Sequence, residues 1–226
     1  MAEAKVTLTR RKLRTPRAAS VAGILFALLY GASLVLIRLS IPSDLAANPA
    51  WLETNARTIV LALNLVPYAG IAFLWFIGVI RDRLGDLEDR FFSTVFLGSG
   101  LLFLALTFVG AALAGGLLSS YAIQSSAMLE SGLYTYSRAV MYNVLNIYAI
   151  RMAGVFMISL GTIWLRTGLM HRGWAFVTYA LALVLLLSIS LSTWVTIVFP
   201  GWVLAVSVYF LILNLSRPAD EAMGEI

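Results

Sequence analysis

Six stretches of this chain run long and almost without charge: Ala19–Ile41, Ala56–Ile80, Phe91–Leu118, Ser137–Leu165, Trp174–Leu191 and Thr196–Leu215. A hydrocarbon layer ~30 Å thick is crossed by about 20 residues of helix. Inside it no water is available to satisfy N–H and C=O groups, so a spanning segment must bond them within itself. These runs therefore predict α-helices. Composition agrees: 61% of residues are hydrophobic and 12% charged, against about 45–50% and about 25% in soluble domains. So little charge cannot cover a water-facing surface. A soluble enzyme and a disordered chain are excluded.

Basic residues sort the connections. Lys5, Arg10, Arg11, Lys12, Arg14 and Arg17 precede the first run, Arg81, Arg83 and Arg90 follow the second, Arg166 and Arg172 follow the fourth, and Arg217 follows the last. The alternate connections, 42–55, 119–136 and 188–193, carry no Lys or Arg. The positive-inside rule then predicts both termini in the cytoplasm. The net charge of +5 is thereby read as a contact with anionic lipid headgroups by the N-terminal tail, not as a nucleic-acid interface. Trp51, Tyr121, Tyr134 and Tyr136 are expected at the outer interface, and Trp75, Trp164 and Trp174 toward the inner one. Residues 81–90 alternate in charge sign, which suits a solvated turn or a docking surface for a cytoplasmic partner.

Helix contacts in lipid rely on close backbone approach. Ala19, Gly23, Ala27 and Gly31 lie four apart on the first helix, and Gly110–Ala112 with Ala114–Gly116 repeat the pattern on the third. Such stripes pack helices within one chain, or form a seam with a second copy or another membrane protein. Pro67 withholds a hydrogen bond from the Leu63 carbonyl and predicts a kink beside Asn64 and Tyr68. Pro200 either kinks the sixth helix or starts it.

Arg151 is the costly residue. It falls near the middle of the fourth run, where a charge costs ~2.5–3.5 kcal/mol on insertion scales. All eleven acidic residues lie outside the six runs. Asn143, Asn146, Tyr148, Asn64 and Tyr68 are the polar residues available to it. Arg151, Tyr148, Asn143, Asn64 and Tyr68 together form the candidate ligand site, for an anionic or polar group. Buried satisfaction by carbonyls, or a dip of the outer loop carrying Glu130, are the alternatives. Arg38, Arg57 and Arg138 sit near outer helix ends, where snorkelling to headgroups accounts for them. An outward-facing basic vestibule is the functional alternative.

Most chemistry is ruled out by what is missing. There is no cysteine, one histidine (His171), and no lysine beyond Lys5 and Lys12. Thiolate catalysis, bis-histidine haem, multi-histidine zinc and an intramembrane Schiff base all lack their residues. No carboxylate in any run argues against an acid-driven antiporter. No catalytic residue, metal or cofactor is expected.

The segments Phe96–Phe103 (FLGSGLLF), Tyr148–Phe156 (YAIRMAGVF) and Phe199–Trp202 (FPGW) resemble those of small bacterial six-helix integral membrane proteins with no assigned activity. The resemblance runs from about the second helix onward and implies no site residues. The resulting expectation is an all-α, polytopic bundle of six transmembrane helices with both termini cytoplasmic, in a bacterial plasma (inner) membrane. Residues 1–18 are a basic tail, 19–215 the single transmembrane domain and 216–226 a second tail. Function is expected to be that of a non-catalytic accessory or structural component. The alternative is a small carrier or channel-like protein anchored on its solute by Arg151.

Overall fold

The computed structural model describes residues 16–42, 44, 47–84, 90–168, 170–187 and 193–215, and all regular structure among them is helical. Most of the basic N-terminal cluster, half of the alternating-charge loop 81–90 and Arg217 lie outside these residues, as do 188–192 of the break at 188–193. Helix α1 is Pro16–Ser40, the one-turn α2 Trp51–Thr54, α3 Ala56–Leu84 and α4 Arg90–Ile123. The short α5 is Ser125–Glu130. Then α6, Leu133–Asn143, passes through a π-helical turn, Val144–Ala149, into α7, Ile150–Thr167. Helix α8 is Arg172–Leu187. A 3₁₀ turn, Thr193–Ile197, leads into α9, Val198–Leu215.

Five segments are long and apolar enough to cross a membrane: Ala18–Ser40, Ala56–Arg81, Phe91–Ile123, Leu133–Thr167 and Trp194–Leu213. The fifth predicted run is a shorter apolar helix over Arg172–Leu187, about 24 Å at 1.5 Å per residue. It nevertheless runs antiparallel to both neighbours. Thr162 meets Tyr179 at 2.8 Å while Gly154 packs under Leu186. The Trp202 indole donates to Thr178 at 2.9 Å while Tyr209 meets Trp174 with ring centroids 5.1 Å apart.

Each element ends for a local reason. Gly132 (φ 72°) precedes α6 and Gly168 (φ 66°) follows α7, conformations that only glycine adopts without strain. Pro200 is the third residue of α9, in the first turn, where its missing N–H costs nothing; it starts the helix. Helix α3 continues through Pro67. The connection 119–136 is helical for most of its length, with Met128 as the buried residue of α5.

The five long segments meet at five phenylalanines, one from each: Phe26, Phe73, Phe103, Phe156 and Phe199, all 1% exposed or less. Phe26 lies 4.6 Å from Phe73, Phe103 lies 4.7 Å from Phe199, and Phe73 lies 5.4 Å from both Phe103 and Phe156. Such pairs add ~0.5–1.5 kcal/mol each beyond area burial. Phe96, Leu160, Trp164 and Trp202 extend the packed core from this hub. Trp164 is thus a core residue, 2% exposed, not an interfacial ring.

The small-residue stripes pack within the chain where they face it. A Cβ on Gly23 would strike the Ser207 hydroxyl and the ring of Phe76, and one on Gly110 would strike Leu145. A Cβ on Gly31 meets nothing within 4 Å. Gly23→Val should therefore destabilise by ~1–3 kcal/mol through overpacking, whereas Gly31→Val should stay within about 0.5 kcal/mol. Thermal unfolding of the two purified variants checks this, and equal losses would remove the close contact between α1 and α9.

Candidate functional site

The residues grouped around Arg151 by sequence do not converge. Arg151 is half-buried, and its guanidinium donates at 3.1 Å to the carbonyl of Ile147, four residues back on the π turn. Tyr148 and Tyr68 are 59% and 64% exposed, and Asn143 and Asn64 are exposed as well. Among the described residues no hydrogen bond joins Arg151 to any of these four. Glu130 is exposed and does not pair with Arg151.

Arg38, Arg57 and Arg138, expected at outer helix ends, behave differently from one another. Arg57 is exposed, as snorkelling requires. Arg138 is not: it is 2% exposed. Its guanidinium donates to the carbonyls of Pro42 (2.6 Å) and Asp44 (2.8 Å) and to the hydroxyl of Tyr134 (3.2 Å). It also lies 5.3 Å from the Trp51 ring centre. The Tyr134 hydroxyl accepts from the Trp51 indole and donates to the Ala47 carbonyl. The reason is geometric. The connection after α1 folds over the helix ends, so carbonyls reach Arg138 before it reaches water. Trp51 and Tyr134 are consequently buried with Leu52, Ile59, Leu117 and Met128 in a second small core, not spread as an interfacial belt.

Arg38 faces the bundle interior. Its Nη2 donates to the Asn146 side-chain oxygen and to the Thr196 hydroxyl at 3.4 Å. Its Nε is buried with no acceptor from the protein. Asn146 is held in turn by its amide nitrogen, which donates to the Tyr142 carbonyl at 3.0 Å. The π turn that carries Asn146 adds a residue to the helical repeat. It directs Asn146 to Arg38 and leaves Tyr148, two residues on, at the outer surface.

Arg38 lies between two cavities. The inner one, about 70 Å³, is lined by Arg38, Arg138, Asn146 and Thr196 and by apolar residues of α1, α3, α4 and the π turn. The other, about 250 Å³ and more open, is lined by Arg38, Ser40, Pro42, Trp51, Asn55 and Trp194. Tyr30 lines the inner cavity and stacks on Phe26 of the hub at 5.4 Å. Beneath Tyr30 lie the packed rings of the hub. No acidic side chain is among the described residues lining either cavity. Two guanidinium groups in a water-poor setting make a local positive field, suited to a carboxylate or phosphate.

The sequence signal for this site was the set of three arginines at outer helix ends. Nothing in the sequence separates the buried Arg138 and the half-buried Arg38 from the exposed Arg57, because all three stand in apolar helical runs. Comparison with family models, curated proteins and solved structures finds no match to this chain.

Arg138→Met should destabilise by about 1–3 kcal/mol, the cost of leaving the part-buried Pro42 and Asp44 carbonyls without their donor. Arg57→Met should change stability by no more than about 0.5 kcal/mol. Thermal melts of both variants, with proteolysis of the 41–55 connection, decide the matter. A silent Arg138 variant would mean that the connection is held by the aromatic cluster alone.

Proposed function

We propose that this chain is a non-catalytic, multi-pass membrane protein that receives an anionic or amphiphilic solute at Arg38, in the cavity above the phenylalanine hub. The observation that carries the reading is the buried Arg38 Nε without a protein acceptor, in a guanidinium that borders both cavities. Buried donors are rarely left unmade, since each costs about 1–3 kcal/mol. This moves the anchor of a carrier-like protein from Arg151 to Arg38.

The same proposal includes a six-span topology with both termini cytoplasmic, in a bacterial inner membrane, so that the cavity opens outward. Support comes from α8, which lies antiparallel to α7 and α9, and from the charge asymmetry of the connections. In a chain without cysteine, Ser125→Cys should react with an impermeant thiol reagent from outside intact cells. His171→Cys and Glu221→Cys should react only after permeabilisation. Labelling of Glu221→Cys from outside would mean an odd number of spans.

Binding is tested by thermal shift with acetate, hexanoate and inorganic phosphate. A ligand at about a hundredfold excess over Kd stabilises by roughly 2.7 kcal/mol. Arg38→Gln should abolish the response and Arg151→Leu should keep it. The reverse pattern would return the anchor to Arg151. No response to any anion would leave the accessory or structural reading. One observation favours that reading on its own: Gly31, Gly78, Gly98 and Gly116 have open space beyond their Cα atoms, a surface that a second copy or another membrane protein can approach closely.

A further inference from the structure

We propose that the ligand at Arg38 is a small amphiphilic carboxylate, with its head on the guanidinium and a short apolar chain in the inner cavity. This rests on the anion-binding reading above and names its ligand class.

Arg38 stands at a change of lining. Above it, Ser40, Asn55 and the two indoles of Trp51 and Trp194 surround the wider, more open cavity. Below it, Leu34, Leu63, Val66, Ala111, Ala114 and Leu145 make the inner wall. Two of the hydroxyls on the inner side, those of Ser33 and Thr107, are already committed to carbonyls. Ser33 donates to the Ala62 carbonyl at 2.8 Å and Thr107 to the Phe103 carbonyl at 2.8 Å. A polar head therefore finds its donors at Arg38, and an apolar chain finds contact beneath it.

Charge selects the head. Arg138 shares the inner lining, but its Nη1 and Nη2 donate to the carbonyls of Asp44 and Pro42. The Nε atoms of Arg38 and Arg138 are both buried without a protein acceptor, but Arg38 is the one of the two that also borders the wider cavity. Nη2 of Arg38 is taken by Asn146 and Thr196, so a carboxylate head accepts a single charge-assisted hydrogen bond from Nε. A phosphate dianion would bring a second charge to a site whose other guanidinium, Arg138, already gives both Nη groups to carbonyls, and its desolvation would be less well compensated.

Volume selects the chain. About 10–15 Å³ of such space holds one water, so an inner cavity of about 70 Å³ takes several water-sized groups. That suits a chain of a few carbons. A sugar, a nucleotide or a long acyl chain does not fit.

The test uses the full chain purified in a neutral detergent, with affinities read from concentration-dependent thermal shifts. The probes are acetate, butanoate, hexanoate, hexanamide and inorganic phosphate. In the parent, affinity should rise about fourfold per methylene from acetate to hexanoate, the worth of a buried CH₂. Hexanamide and phosphate should bind at least tenfold more weakly than hexanoate. Ala114→Leu, which fills the inner cavity, should flatten the chain-length dependence and leave acetate unchanged, and Arg38→Gln should lose all carboxylate binding. The series on the parent alone is decisive if either variant fails to fold. Affinity independent of chain length, or phosphate as tight as hexanoate, would overturn the amphiphile while leaving an anion site at Arg38. Hexanamide as tight as hexanoate would overturn the carboxylate. Silence toward every probe would overturn both readings.

Discussion

Phe26, Phe73, Phe103, Phe156 and Phe199 come from five different long segments and meet in one cluster. Every other feature of the bundle is arranged around that junction. In lipid, apolar burial adds little between helices, because the alternative environment is equally apolar. Ring-on-ring geometry and close packing must then supply the specificity. Tilted and edge-on contacts between 4.6 and 5.8 Å tie Phe73 to the other four. Gly23 and Gly110 let neighbouring helices approach closely enough for these contacts to form.

The hub also divides the interior. On one side Trp164, Trp202, Ile163 and Val206 fill the space. On the other, Tyr30 stacks on Phe26 and borders a cavity that the rings do not fill. The arginines follow this division. Arg138 uses the carbonyls of the folded outer connection and locks it down. Arg38 is braced by Asn146 and Thr196 and keeps a buried donor in reserve. Arg151 sits beside the hub's helix but on its outer side, where the Ile147 carbonyl and partial exposure relieve part of its desolvation. Charge position along a helix thus says little about charge environment. The face decides, and the π turn at 144–149 resets which face each following residue presents.

Particular residues show how far the sequence carries. The second helix begins at Ala56 both by hydropathy and in the structure, because Asn55 and the preceding polar connection end the apolar run. Gly132, Gly168 and Pro200 mark element boundaries by backbone constraints that act locally. The fifth run was legible as apolar and helical but came out shorter than its neighbours. Arg138 and Trp51 were misread as interfacial, since the carbonyls that bury Arg138 come from a connection some ninety residues earlier, and Trp51, which stands in that connection, is buried against Tyr134, 83 residues on. The phenylalanine hub gave no sequence signal. The chain has 12 phenylalanines, and on helices apolar all round, no periodicity marks the face that turns inward.

The amino-acid sequence by itself determined that the chain is helical and suited to a membrane, roughly where its helices begin and end, and which chemistries have no residues to perform them. Those properties follow from hydropathy, local backbone constraints and the obligation to satisfy backbone groups within each segment. Only the tertiary structure decided which arginine is buried, which lies beside the cavities and which stays at the periphery. That choice rests on contacts between residues 38 and 146 and between residues 42 and 138. Such contacts exist once the helices have packed, and no local pattern encodes them.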